Sequence, residues 1–372
     1  MFDFVPIRDY TPIFNYTVLV LILIAFFQSN SGSILQEQNV KNNYGLGIFL
    51  TILLILYMGL RPVNGVFGDT INYAAGFYKE AHSGQPFVWT WKGEWLFHNL
   101  QGIYARNSDV HMFFLTCTAV YVGALWLATK RMFAEYNYVP FLVILSMFTF
   151  WNYGVNGVRN GMAASMVILA FAMIDRLPIA FLIAFLATGV HSSTMLMIGA
   201  AGLAWFVKNS KLYIGAWVVC LLASFAAGTA IQTRLMALPM FSGGDDDRMN
   251  AYVSGANQAG EVIVTSMTFR WDFVAYSAMA VIVGYYFIVK RKFADGYYHW
   301  LYNIYIITNA FWLLVIRANF SNRFAQISWF VMPLVLIYPF FKERFWDDHE
   351  RKLGYALLVF YAFTFYFNIL KG

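Results

Sequence analysis

Residues 156–165, NGVRNGMAAS, set one arginine, Arg159, at the mouth of an apolar helix. A cation at the centre of a spanning helix costs about 2.5–3.5 kcal/mol on insertion scales, and less near the interface, so an anion is expected to offset it. Asn156 and Asn160 stand beside the arginine. A second arginine, Arg61, ends an apolar run and opens RPVNGVFGDTINY, where Asp69 and Tyr73 are one helical turn apart. Arg317 and Arg323 bracket one tight turn in VIRANFSNRFAQ. Like charges so close repel unless an anion or acid lies between them, and the guanidinium fork suits phosphate oxygens. Arg61, Arg159, Arg317 and Arg323 are therefore the set expected to hold a diphosphate. The plainer alternative for Arg61 is a side chain reaching for the membrane surface, with Asp69 capping a short helix.

Chemistry at such an anion also needs a proton acceptor. His191 follows ATGV and precedes SSTML, a hydroxyl-rich turn between two short apolar runs. Neutral imidazole is the natural acceptor near neutral pH. Glu94 stands between Trp91 and Trp95 in PFVWTWKGEWLFHNLQGIY, where low polarity favours a carboxyl that exchanges a proton. Asp69 is the third candidate. The tryptophans offer faces on which sugar rings stack, or form an aromatic belt at the membrane interface. Arg248 and Tyr252, again one helical turn apart, are expected to lean over the site as a lid. Asp245, Asp246 and Asp247 read as a solvated turn rather than a metal site, because their spacing is not that of an EF-hand.

The elements that must position these residues are membrane helices. Hydrophobic residues make up 60% of the chain and charged residues 12%, about half the charge content of a soluble domain. Apolar runs predict about twelve spanning segments, near 11–27, 44–60, 109–129, 138–152, 156–174, 178–190, 193–207, 212–231, 272–289, 297–316, 323–341 and 353–370. The fold class is an all-α polytopic membrane protein, one transmembrane domain over 1–372 with two long loops, 61–108 and 232–271. The first apolar run lacks the basic flank and small-residue site of a cleavable signal. Cys117 and Cys220 both fall in apolar runs, which suggests neither a disulfide framework nor a metal cluster. The net charge of +6 is spread over loops, so no nucleic-acid partner is expected. Lys130-Arg131, Arg176, Lys208/Lys211, Lys290-Arg291-Lys292 and the charges of 342–352 fall in alternate loops, which the positive-inside rule assigns to the cytoplasm. Both termini and both long loops then face outward. Arg61, Arg159, His191, Arg270, Arg317 and Arg323 all come to that outer face.

In this order, the residues resemble the EpsG-like family of Wzy-type oligosaccharide repeat-unit polymerases. The resemblance rests on Arg61, Asp69 and Tyr73 at their R-x(7)-D-x(3)-Y spacing, Glu94, VRNGMAASM at Arg159, His191-Ser192, Arg248-x(3)-Tyr252 and Arg323. Where the family often has glutamine after the arginine of the fifth segment, this chain has Asn160. The resemblance implies a GT-C-like membrane glycosyltransferase of the bacterial inner membrane, with its active site facing outward. It implies transfer of an oligosaccharide from undecaprenyl diphosphate to another lipid-linked repeat unit, inverting and metal-independent, with no cofactor. The product would be O-antigen, capsule or exopolysaccharide. Donor and acceptor are both undecaprenyl-diphosphate-linked oligosaccharides, and a chain-length regulator and a flippase are further expected partners.

Two other classes fit part of the sequence. A transporter or flippase of lipid-linked or anionic sugars would also need outer arginines, but should carry cations or broken helices along a path to the inner side and an internal repeat. A membrane O-acyltransferase would use His191 as base but leaves the arginines unexplained.

Overall fold

The computed structural model describes residues 4–236, 269–318 and 321–371. Among these the chain is helical with no strand. Seven helical stretches are long and apolar enough to cross a membrane: Ile7–Asn30, Glu37–Gly59, Val110–Leu145, Ser210–Gly228, Trp271–Lys290, Arg323–Lys342 and His349–Leu370. Each falls on an expected span. Three shorter apolar helices, Val158–Ala172, Leu177–Val190 and Thr194–Phe206, accompany them. At 1.5 Å per residue these three reach only about 20 Å, short of a bilayer core of about 30 Å.

The described residues thus hold seven candidate spans where about twelve were expected, Val110–Leu145 covering parts of two of the expected segments. Apolar content marks a buried helix and a lipid-facing helix alike. Residues 138–152 do not form one helix but break into α6 (Tyr138–Leu145) and α7 (Phe150–Val155), both almost wholly buried. Non-helical backbone at membrane depth is tolerated where protein surrounds it. Here Thr364 donates to the Ser146 carbonyl at 2.7 Å, inside the break. Residues 61–108 are not a plain loop either. They fold into α3 (Thr70–Ala81) and α4 (Trp95–Asn107). Most of the second long loop, 237–268, lies outside the described residues.

The chain divides into two compact units. The first comprises Met1–Met195 and Ile337–Gly372. It holds α1 (Tyr10–Asn30), α2 (Glu37–Gly59), α3, α4, α5 (Val110–Phe133), α6, α7, α8 (Val158–Ala172) and α9 (Leu177–Val190). The C-terminal helix His349–Phe365 closes this unit, with Tyr361 donating to the Asn15 carbonyl and Asn368 to the Asn15 side chain at 3.3 Å. Helices α1 and α9 leave apolar rows outside, Ile13, Val20, Ile24 and Phe27 on one and Leu177, Phe181, Leu182 and Phe185 on the other. Apolar faces that stay exposed in this way suit lipid rather than water.

The second unit is Leu196–Leu336. Its core is stitched by buried polar side chains: Trp217 donates to Asn309 at 2.7 Å, Asn309 to Ser328 at 3.0 Å, and Trp329 to Ser277 at 2.8 Å. The helix Gly296–Leu314 in this unit is long, but buries Asn303, Thr308 and Asn309. That polar content separates it from the apolar spans.

Candidate functional site

At one end of the first unit α2 ends, α3 and α4 lie, α8 begins and α9 ends. This is the end that gathers the unit's unusual polar residues. At the other end are Lys130 and Arg131, where Arg131 pairs with Asp175 and Lys342 donates to the Met132 carbonyl at 3.0 Å.

Glu94 is the hub. It stands at the N-cap position of α4 without capping it, and its two carboxylate oxygens take other partners: Oε2 pairs with Arg159 Nη1, and Oε1 with His191 Nδ1. The side chains are largely enclosed but not sealed, 10% exposed for Glu94, 20% for Arg159 and 17% for His191. An ionised carboxylate is an acceptor only, so His191 donates to it from Nδ1. Arg159 opens the first turn of α8, and its Nε is buried with no protein partner.

Packing explains why Glu94 meets His191. The next residue, Trp95, lies flat against α9 at Gly189, where a Cβ would come within 2.5 Å of the indole. Glycine at 189 lets the indole reach the α9 backbone, and that close approach brings α4 to the end of α9. There the chain leaves the helix at His191, whose carbonyl accepts from Thr194 Oγ1 at 2.8 Å. The turn that follows is tied to α8 through Ser193, which donates to Asn160 Oδ1 at 3.1 Å.

Aromatic faces complete the surroundings of Arg159. Its guanidinium lies 5.5 Å from the Tyr73 ring centroid and 5.6 Å from that of Phe97, distances at which ring quadrupoles attract a cation. Burial raises the Tyr73 phenol above its ordinary range, opposed by the charge and hydrogen bonding of Arg159. Tyr73 therefore keeps its proton at neutral pH. Next to the site, Trp89 and Trp91 stay substantially exposed on a strap pinned to α4 by Asn99, which bonds both the N–H and the carbonyl of Thr90 at 3.0 and 2.7 Å.

Of the residues expected from the sequence, Tyr73, Glu94, Arg159, Asn160 and His191 come together here. Asp69 is adjacent. Its N–H donates to Asn156 Oδ1 at 2.8 Å, and its carboxylate accepts from Asn72 at 3.0 Å at the start of α3. Arg61 departs from the expectation of an open phosphate ligand. It is 0% exposed, and its donors go to the Met58 carbonyl, Thr70 Oγ1 and the Val155 carbonyl at 2.6, 2.7 and 2.9 Å. Arg270, Arg317 and Arg323 belong to the second unit. Arg270 forms a two-point pair with Asp272 at 2.9 and 2.7 Å, Arg317 lies 5.6 Å from the Phe269 ring, and Arg323 is exposed. Arg248, Tyr252 and the three aspartates lie outside the described residues. Among the described residues no cluster of three metal-ligating side chains occurs. Phe97 and Thr70 were not singled out by sequence. Only the helical spacing of Phe97 from Glu94, three residues on, points to the former.

The model of the EpsG family matches residues 45–372, and the chain belongs to that family. The family is associated with polysaccharide polymerase activity, which implies a glycosyltransferase. No curated protein matches the chain, and no solved structure matches it.

Proposed function

We propose that the protein extends a polysaccharide by transferring an oligosaccharide from undecaprenyl diphosphate to the end of another lipid-linked repeat unit, at the outer face of the bacterial inner membrane. The observation that carries this reading is the Glu94 carboxylate shared between Arg159 and His191 Nδ1. It sets side by side a cation for a leaving phosphate and an imidazole whose second nitrogen is the proposed base.

In the proposed step the acceptor hydroxyl attacks the anomeric carbon of the donor. Its proton passes to His191 Nε2 as the new glycosidic bond forms. The bond from the anomeric carbon to the diphosphate oxygen breaks, and the electron pair leaves with the diphosphate. Diphosphate is already a good leaving group, so the protein needs no acid at that oxygen. It needs fixed positive charge where negative charge accumulates. Arg159 supplies it through the donors that Glu94 leaves unused. Glu94 stabilises the imidazolium formed when His191 takes the proton, and Asn160 steadies the turn that carries His191. Single-step displacement gives inversion and calls for no metal. The proposal extends to Arg317 and Arg323, whose guanidinium forks suit phosphate oxygens, and to Arg270, Arg248 and Tyr252 as further substrate contacts. Glu94 and then Asp69 follow His191 in the order of candidate bases, and near-normal turnover in His191→Ala passes the role to Glu94. A chain-length regulator and a flippase are proposed partners.

The orientation is part of the proposal and follows from charge. Lys130, Arg131 and Lys342 lie at the end of the first unit away from Glu94, which suits a cytoplasmic end. The test is reconstitution of purified protein with a polyprenyl-diphosphate-linked repeat unit, read as a polymer ladder. A ladder that persists with chelator and vanishes with Arg159→Ala supports the reading; no extension from any such donor overturns it.

A further inference from the structure

Arg61 is a buried cation without a carboxylate partner among the described residues, covered instead by the Phe114 and Phe67 rings at 4.8 and 5.8 Å from its guanidinium. Enclosing a charge in this way is costly, because it gives up hydration that no counter-charge restores. Capping one carbonyl does not require it, since Thr70 Oγ1 already donates to the Val155 carbonyl at 2.6 Å. What the planar fork adds is rigidity between three places. It joins Met58 near the end of α2, Thr70 at the start of α3 and Val155 at the end of α7.

Those places set a register. Thr70 is tied to Val155, and the neighbouring Asp69 N–H is tied to the neighbouring Asn156 side chain at 2.8 Å. Gly68 makes the second tie feasible. Its φ of +59° is one that side-chain-bearing residues avoid, and a Cβ there would fall 2.3 Å from Asn156 Oδ1. Four residues past Asp69, α3 presents Tyr73; past the break at Asn156 and Gly157, the first turn of α8 presents Arg159, and those two meet. The ties of 69–70 to 155–156 therefore anchor α3 to the chain just before α8 begins.

We propose that Arg61 is a positioning residue: through Thr70 and Val155 it holds the first turn of α8 so that Arg159 faces Tyr73 and Glu94, and it does not touch substrate. The inference rests on the role given to Arg159 under the proposed function. The expected signature is a loss of turnover without loss of donor binding, since a displacement on the order of 1 Å in a charge-stabilising group costs about a hundredfold.

The experiment uses the full chain in lipid nanodiscs with the polyprenyl-diphosphate-linked repeat unit. Thr70→Val keeps the shape of the side chain and removes the hydroxyl bridge; Thr70→Ser restores it. Each is measured in the wild-type and Arg159→Lys backgrounds, with rates per folded protein. Thr70→Val is expected to lower kcat about tenfold with donor KM unchanged, Thr70→Ser to recover it, and Thr70→Val to cost under about twofold once Arg159 is lysine. Arg61→Met, which fills the same buried space, is expected to behave as Thr70→Val does if it folds. Equal losses in both backgrounds, an unchanged kcat, or a raised donor KM from Arg61→Met would each overturn the inference alone. An Arg159→Lys protein with normal kcat would overturn the proposed role of Arg159 and the inference with it.

Discussion

Arg61 and Arg159 lie at the same end of one structural unit, joined through the short turn after Val155, yet they spend their donors in opposite ways. Arg61 gives its bonds to two backbone carbonyls and a threonine, and no part of it is exposed. Arg159 gives one to a carboxylate that is itself shared with a histidine, and a fifth of it stays open. A fully enclosed guanidinium whose bonds go to carbonyls and a threonine is a fastener. One that is half engaged, beside an imidazole, is equipped to meet a ligand. Position at the end of an apolar helix does not separate the two cases; the partners do.

The comparison is most easily broken at Arg159. Arg159→Ala is expected to lower chain extension by about a hundred- to a thousandfold, the usual cost of deleting a group that stabilises transition-state charge. The protein should still insert and remain monodisperse in detergent. Long polymer from that variant would remove the distinction between the two arginines. Glu94→Gln sharpens the contrast, because it keeps the shape and deletes the charge that joins Arg159 to His191. A loss of about a hundredfold is expected, within the range a misheld general base costs, visible as shortened ladders at fixed time. A rate equal to wild type would mean that the shared carboxylate is incidental. The smallest effect is expected from Tyr73→Phe, which leaves the ring against Arg159 and removes only the hydroxyl. About tenfold, the low end for a hydrogen bond to a charged group, is the expected reduction in initial rate. A loss as large as that of Arg159→Ala would instead place the phenol in the chemistry.

Much of this was legible in the sequence, and the gaps have physical causes. The seven helical stretches long and apolar enough to cross a membrane follow from apolar runs that contain few charges. The runs at 138–152 and 178–207 are just as apolar but form short or interrupted helices, breaks that hydropathy does not mark. Arg159, Glu94 and His191 stand out by type, each a polar residue at the edge of an apolar run. Their meeting depends on Trp95 reaching the backbone at Gly189, a contact between residues 94 positions apart that no local pattern encodes. Arg61 was legible as unusual but not as buried. Its enclosure depends on Thr70 and on a carbonyl at Val155, and a carbonyl carries no sequence signal at all.

The central claim is that His191, held through Nδ1 by Glu94, takes the acceptor's proton on Nε2. The most direct test is the rate of single-turnover transfer by purified His191→Ala protein beside wild type. The rate should fall about 10²- to 10⁴-fold, the usual contribution of a positioned general base. Turnover close to wild type would contradict the account.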